Sequence, residues 1–381
     1  MSNRALRIVF WNETYLPRVG GVEIFTERLG RGLIKRGHEI SVVTDGPPTA
    51  SPTSESVNGI SVHRFPFREA FVSENDPNKH SGAPRRLARI TKEITKLKEK
   101  VRPDIVHVNF YGPSSYFHLK TARRLPTQTV VTFQTALTTM AGEDGLVQAL
   151  LRQAAVVIAP SRAAARNIEL STGYSLNQIS VIAPGVPHGM SPPAIDCGSG
   201  LPTVVFVGRL VEDKGADIAV RAMHALKGIA NLNIVGDGPQ RPALEDLARE
   251  LSLEETVHFS GQVSDDQRGQ MIANAFAMVV PSRHEELFGM VAVEGALSSL
   301  PVVAASRGGL PEVVKHRETG IIIPPDDPTA LSAALRSLLN DRGVASAMGR
   351  AGRSRALRKF SLEEAINRHE TLYFKACPDL V

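Results

Sequence analysis

Two glutamates, Glu286 and Glu294, stand eight positions apart in HEELFGMVAVEG (284–295), separated by a Phe-Gly pair and a short apolar run. Carboxylates at both ends of a buried-looking segment have two readings. One is a solvated helix with its charges outward; the other is a pair of carboxylates turned toward one ligand. The segment follows the strand pattern FAMVVPS (276–282) and enters the helical pattern MVAVEGALSS (290–299). Glu294 therefore falls within a helix and Glu286 in the loop before it. On one continuous helix the two would lie roughly 80° apart and about 12 Å along the axis. A loop shortens that distance and folds Glu286 back over the helix N-terminus. There the backbone N–H groups near Phe288, Gly289 and Met290 point at an anion. One carboxylate can then hold sugar hydroxyls and the other a ribose diol, each accepting two hydrogen bonds.

Three other loops carry residues of the same kind. In VGRLVEDKGAD (207–217), Arg209 and Lys214 flank a turn between a strand and a helix, where two cations suit a diphosphate; the alternative is a pair of solvated surface charges. In YLPRVGGVE (15–23), Gly20 and Gly21 allow close backbone approach to an anion at a helix start, or simply form a tight turn. In ASRGGLPEVV (305–314), Gly308 and Gly309 again offer close approach, with Glu312 near a helix start, where complementing the helix dipole is the alternative role.

The elements that position these loops alternate apolar strands with helical patterns. Strand patterns occur at 5–11, 39–44, 104–110, 127–133, 155–160 and 179–184, and resume at 203–208, 232–236, 257–261, 276–281, 301–306 and 320–325. Val22, Phe25, Leu29 and Leu33 repeat at helical spacing and Gly37 is placed to end that helix. This βαβ rhythm predicts parallel sheets with helices on both faces. The fold class expected is α/β, with two doubly wound Rossmann-like domains facing a central cleft, since ligands of such sheets bind at the strand C-terminal ends. A Gly-, Pro- and Ser-rich stretch divides the halves. The expected boundaries are residues 1–186 for the first domain, 187–201 for the linker and 202–358 for the second domain. A C-terminal helix, 359–381, then crosses back to the first.

Composition narrows the class. The 381 residues are 42% hydrophobic and 22% charged, ordinary for a globular protein of roughly two domains. No apolar run spans a bilayer, and the N-terminus lacks a signal-peptide cleavage pattern. The two cysteines, Cys197 and Cys377, form no disulfide framework and suit a reducing cytoplasm. The net charge of +5 permits nucleic-acid contact without demanding it; a basic pocket for a phosphorylated small molecule explains it equally well. In PRRLARITKEITKLKEKVRP (84–103), an apolar stripe of Leu87, Ile90, Ile94, Leu97 and Val101 is expected to pack on the first sheet, with peripheral membrane contact as the less favoured use of its basic face.

Taken together, ELFGMVAVE, NETYLPRVGGVE, FVGRLVEDKG, IVGDGPQRPALEDLA, GALSSLPVVAASRGGLPEVV and TGIIIPPDDPTAL resemble family-4 retaining glycosyltransferases with the Glu-x7-Glu signature, over about residues 6–374. The resemblance implies the GT-B architecture and a nucleotide-sugar donor, UDP-linked by family frequency, held mainly by the second domain. It implies that Arg209 and Lys214 neutralise the diphosphate and that Glu294 holds the ribose. Glu286 would contact the sugar with backbone groups of Leu287, Phe288, Gly289, Met290 and Val291. Gly21, beside Gly20, would approach the phosphates, while Val263 meets the base and Arg268 its edge. The implied reaction is retaining transfer by front-face attack, giving an α-linkage. No obligatory cofactor or metal is expected, since PPDDP reads as a turn. Nor is nucleic acid expected as a partner.

The sequence departs from the family pattern at Gln134, where many members carry a histidine, and at Leu287, where small residues are common. Gln134 can donate a hydrogen bond but takes up no proton near neutral pH. His107 is a nearby substitute or a structural histidine, and with Asn109 and Thr135 it marks the acceptor side, expected around residues 12–22, 65–83 and 109–140. A sugar, a natural product, a polysaccharide intermediate and a lipid-linked acceptor all remain open. Two other readings share the architecture: a nucleotide-sugar 2-epimerase-like isomerase, and a nucleotide-binding relative without turnover.

Overall fold

The computed structural model describes residues 4–18, 20–47, 52–71, 83–109, 111–137, 145–186 and 200–378. Most of the expected linker (187–199), Cys197 and the loop residues 72–82 and 138–144 lie outside these. The chain divides into two compact units, Met1–Gly185 with Leu362–Val381, and Val186–Ser361.

The first unit holds eight strands: β1 (Arg7–Trp11), β2 (Glu39–Asp45), β3 (Thr53–Val57), β4 (Ile60–Phe65), β5 (Ile105–Val108), β6 (Gln128–Thr132), β7 (Ala154–Ala159) and β8 (Ile179–Val181). Their order is β3-β4-β2-β1-β5-β6-β7-β8, parallel except for the β3–β4 pair. An antiparallel edge hairpin is thus added to the parallel doubly wound sheet. Its polar strand TSESV is almost entirely exposed and carries no apolar pattern. Asn58 and Gly59 (φ +52° and +83°) form the tight connection, a dipeptide that favours hairpins because both positions tolerate left-handed backbone.

The helix Gly21–Lys35 buries Phe25, Leu29 and Leu33 against β1, β2 and β4. On the helix Ala83–Val101, Ile90 and Ile94 are buried, while Leu87, Leu97 and Val101 are half-buried. Lys98 is buried there too, its Nζ 3.1 Å from His118 Nδ1, and burial pulls its pKa down to about 7. No helix among the described residues is long and apolar enough to cross a membrane.

The C-terminal helix Leu362–Ala376 belongs to this first unit. Its Ile366 and Tyr373 enter the same apolar cluster as Phe10, Phe25 and Leu29. At its surface Glu370 meets Arg36 at 2.6 Å and His38 at 2.9 Å. Burial pushes the Glu370 carboxyl up, but the hydrogen bonds from His38 and Arg36 outweigh it and hold the group below its ordinary range. A carboxylate depressed on folding stabilises the native state above its unfolded pKa, and that contribution is lost as pH falls through the folded value. Glu370→Gln is therefore expected to lower the melting temperature at pH 7 and to flatten the loss of stability below pH 5. Thermal melts from pH 3 to 8 check this; an unchanged acid limb would remove Glu370 as its source.

The second unit has β9 (Thr203–Val207), β10 (Asn231–Val235), β11 (Val257–Gly261), β12 (Ala277–Val280), β13 (Val302–Ala305) and β14 (Gly320–Ile323). They run parallel in the order β11-β10-β9-β12-β13-β14. By position in the chain this is the 3-2-1-4-5-6 arrangement of doubly wound dinucleotide-binding folds. The order reverses between β9 and β12, whose C-terminal loops diverge there and leave a crevice. In the first unit the reversal falls between β1 and β5.

Candidate active site

The β9 loop carries Arg209 and Lys214, and the β12 loop carries Glu286. Both loops leave the sheet at its switch point. Gly215 (φ +67°) lets them close on one another: a Cβ there would lie 2.2 Å from the carbonyl oxygen of Pro281. The result is a direct ion pair, Lys214 Nζ donating to Glu286 Oε1 at 2.6 Å. Ser282 Oγ, buried at the strand end, donates to the same oxygen at 2.8 Å. His284 Nε2 lies 3.9 Å from the other oxygen, Oε2. Arg209 is exposed and forms no ion pair among the described residues.

Gly289 (φ +99°) turns the chain into the helix Met290–Leu297. The first-turn N–H groups of such a helix have no acceptor within it, so Met290 and Val291 present donors beside Glu286. Leu287 is half-buried. Phe288 is buried edge-on against Phe360, with ring centroids 5.3 Å apart, so its backbone alone is placed to meet a ligand. Glu294 sits one turn into the helix and is 3.6 Å from Arg268, which also meets Asp265 at 3.3 Å. Arg268 lies on the helix Asp265–Ala273, after half-buried Val263 in the β11 loop. Glu286 and Glu294 are thus each matched with a cation from a neighbouring loop or helix.

The glycine pair 308–309 does something other than expected. Gly309 N donates to Glu286 O at 2.7 Å and Gly308 N to Glu285 Oε2 at 2.6 Å. These N–H groups hold the glutamate loop instead of facing a ligand. No local pattern in the sequence marks Arg283, which lies just after β12. Its terminal nitrogens donate to both oxygens of Asp217, at 2.6 and 2.7 Å, its Nε to Asp326 at 2.5 Å, and Nη1 also to Glu212 O at 3.1 Å. Its backbone N donates to Asp213 O at 2.8 Å. The hydrogen bonds to Asp217 raise the Arg283 guanidinium pKa; burial pushes the Asp217 carboxyl up, but the hydrogen bonds from Arg283 outweigh it and hold that group below its ordinary range. Arg283 sews the β12 loop to the β9 loop on both sides of Lys214. Arg283→Lys, which keeps the charge but loses the planar fork, is expected to cut kcat about ten-fold with the substrate KM little changed. Steady-state kinetics check this, and wild-type kcat in the variant would deny Arg283 a positioning role.

In the first unit, Gly20 precedes the helix Gly21–Lys35 and no atom lies within 4 Å of a Cβ placed at Gly21. Glu23 occupies that helix start: its carboxylate accepts from Thr14 and sits 2.4 Å from where a Gly20 Cβ would be. Gln134 is half-buried and Thr135 exposed in the loop after β6. His107 and Asn109 need correction as acceptor contacts. His107 is fully buried, with Nδ1 2.6 Å from Tyr373 Oη and Nε2 2.7 Å from Thr132 Oγ1. Burial drives its pKa well below the ordinary value, so it is a neutral tie to the C-terminal helix. Asn109 is also fully buried; its N donates to Trp11 O and its Nδ2 to Thr26 Oγ1 at 3.3 Å.

Two Rossmann-type units in one chain, the second with a cation–carboxylate pair at its switch point, form the GT-B architecture of glycosyltransferases. The family described as Glycosyltransferase Family 4 matches residues 19–189, and that described as Glycosyl transferases group 1 matches residues 196–355. The chain belongs to these family-4, group 1 glycosyltransferases. It is 28% identical to glycogen synthase of Mycobacterium tuberculosis (strain ATCC 25618 / H37Rv), across 97% of this chain and 95% of that one. Among solved structures it is similar to sucrose-phosphate synthase from Thermosynechococcus elongatus, with TM-score 0.79, 23% identity, and 98% and 99% of the two chains covered. It is likewise similar to HepE of Anabaena in complex with UDP-glucose, with TM-score 0.76, 20% identity, and 96% and 99% covered.

Proposed function

We propose that this glycosyltransferase moves a sugar from a nucleotide-sugar, UDP-linked, to an acceptor hydroxyl with retention of configuration. The observation that carries the reading is the Lys214–Glu286 pair of 2.6 Å at the switch point, beside the exposed Arg209 and the N-terminus of the helix Met290–Leu297. In this reading Arg209 and Lys214 neutralise the diphosphate, Glu294 takes the ribose diol, and Glu286 with the backbone from Leu287 to Val291 holds the sugar. Val263 and Arg268 lie toward the base, Gly20 and Gly21 toward the phosphates, and Gln134 and Thr135 toward the sugar and acceptor. The bond from the sugar's anomeric carbon to the diphosphate oxygen breaks. A bond to the acceptor oxygen forms on the same face, and the acceptor proton passes to a donor phosphate oxygen. Stabilising the departing diphosphate is the main electrostatic task. UDP-glucose in the HepE complex supports the choice of nucleotide.

Nucleotide release measured with UDP-, GDP-, ADP- and dTDP-sugars, with and without a mixed acceptor pool, tests this. Release from one donor that rises with acceptor, with an α-linked product by NMR, is the expected result. A donor converted to an isomer without acceptor would favour the epimerase reading, and nucleotide binding without release would favour a relative that lacks turnover.

A further inference from the structure

The first unit contains a concavity of about 300 Å³ among the C-terminal ends of its strands. It is lined by Glu13, Tyr15 and Arg18 after β1, Asp45 at the end of β2, Arg64 in β4 and Arg68 just beyond it. The charges are layered by depth. Glu13 is 5% exposed; its Oε1 accepts from Ser114 N at 2.8 Å, and burial raises its pKa. Asp45 is also largely buried, and burial raises its pKa as well. Tyr15 is 2% exposed and its hydroxyl has no hydrogen-bond partner among the described residues. The Arg18 and Arg68 guanidinium groups lie nearer solvent, while Arg64 is as buried as Asp45. Arg68 is 55% exposed; its backbone N donates to Asp45 Oδ1 at 3.2 Å, and of its guanidinium only Nε meets that carboxylate, at 3.3 Å from Oδ2. Arg64 is held by Glu55 at 2.5 Å and by Leu16 O. Arg18 is exposed and forms no ion pair among the described residues.

A floor of carboxylates accepts hydrogen bonds from hydroxyls, whereas a rim of guanidinium forks matches the planar or tetrahedral oxygens of an anion. We propose that this concavity is an acceptor subsite for a polyhydroxylated molecule bearing one anionic group, a phosphate monoester or a carboxylate. Arg68 and Arg18 take the anion, and Glu13 and Asp45 take hydroxyls. That assignment rests on the transferase reading above and names its acceptor class. The anion on the rim orients the body of the acceptor, so that one hydroxyl is presented for transfer while the others are held.

Saturation-transfer NMR on the full chain tests it, with hexose and cyclitol monophosphates, the corresponding uronates and their neutral parents as probes. The phosphate and uronate arms tell the two anion sources apart. Expected is binding of one anionic set at least ten-fold tighter than its neutral parents, with that preference lost in Arg68→Ala and reduced in Arg18→Ala. UDP affinity should stay at the wild-type value in both variants, because neither arginine is among the residues assigned to the donor and the charged ones, Arg209, Lys214 and Glu294, lie in the other unit; Arg68 and Arg18 are exposed, and a melting curve verifies folding. Neutral parents binding as well as the anions, binding of neither set, or an anion preference indifferent to Arg68 and Arg18 would each overturn the subsite. UDP binding that survives alongside any of those results leaves the transferase reading intact. Absence of UDP binding in the wild type would instead remove the donor site.

Discussion

Lys214→Ala is expected to lower kcat/KM by about 10- to 100-fold, the largest single loss among the cations of the site. A charge-assisted contact contributes about 1.5–3 kcal/mol net, and each 1.36 kcal/mol removed from transition-state stabilisation is about ten-fold in rate. Lys214 does two things that an exposed cation such as Arg209 does not. It is already anchored on Glu286 at 2.6 Å, so its ammonium needs little ordering when charge develops on a leaving diphosphate. It also keeps the Glu286 carboxylate, 15% exposed, from being held by Ser282 alone. Glu286→Ala and the double variant close a mutant cycle. Coupled groups predict that the double variant is much less impaired than the product of the single effects. Lys214→Ala turnover within two-fold of wild type, or strict multiplicativity in the cycle, would break the assignment.

Gly308→Ala is expected to cost nearly as much, from a residue assigned no ligand contact. Gly308 has φ +51°, and a Cβ there would lie 2.0 Å from Glu286 O and 2.7 Å from Glu286 N. These are backbone atoms, so the neighbour cannot rotate out of the way; the glutamate loop must move. Left-handed strain in a non-glycine residue adds about 1–3 kcal/mol. A displacement of about 1 Å at a reacting group can cost 100-fold in rate, so kcat/KM should fall about that far while the protein stays folded with a lower melting temperature. Gly228→Ala is the matched control: φ is +71°, and nothing lies within 4 Å of its Cβ. It should lose about 1 kcal/mol of stability with unchanged kinetics. Equal kinetic effects from the two substitutions would mean that general destabilisation, not the position of Glu286, is responsible.

Much of this protein was legible from local pattern. Apolar strands followed by glycine-containing loops located β9 and β12, and Lys214 and Glu286 directly after them, because burial of a parallel strand on both faces demands a continuous apolar run. The helices Gly21–Lys35 and Ala83–Val101 were legible for the same reason, through apolar residues at helical spacing. The β3–β4 hairpin was not, because its outer strand buries almost nothing; only Asn58-Gly59 marked it. His107 illustrates the other limit. Its type and its place at a strand end fit an acceptor contact. Tyr373, 266 residues away in sequence, closes over its ring and leaves it neutral and buried.

The local sequence therefore settled which residue types stand at the strand ends: a cation after β9, a carboxylate after β12, glycines where the backbone must turn. Tertiary structure alone decided how those residues are used. Arg283 meets Asp217 and Asp326 across separations of 66 and 43 residues, and Gly308 turned out to brace Glu286 rather than face a ligand. The physical reason is one of range. Hydrophobic periodicity acts between residues a few positions apart and is written in any short window. The partner of a charge or a buried polar atom is whichever group chain closure brings within about 3 Å, and no short window contains both.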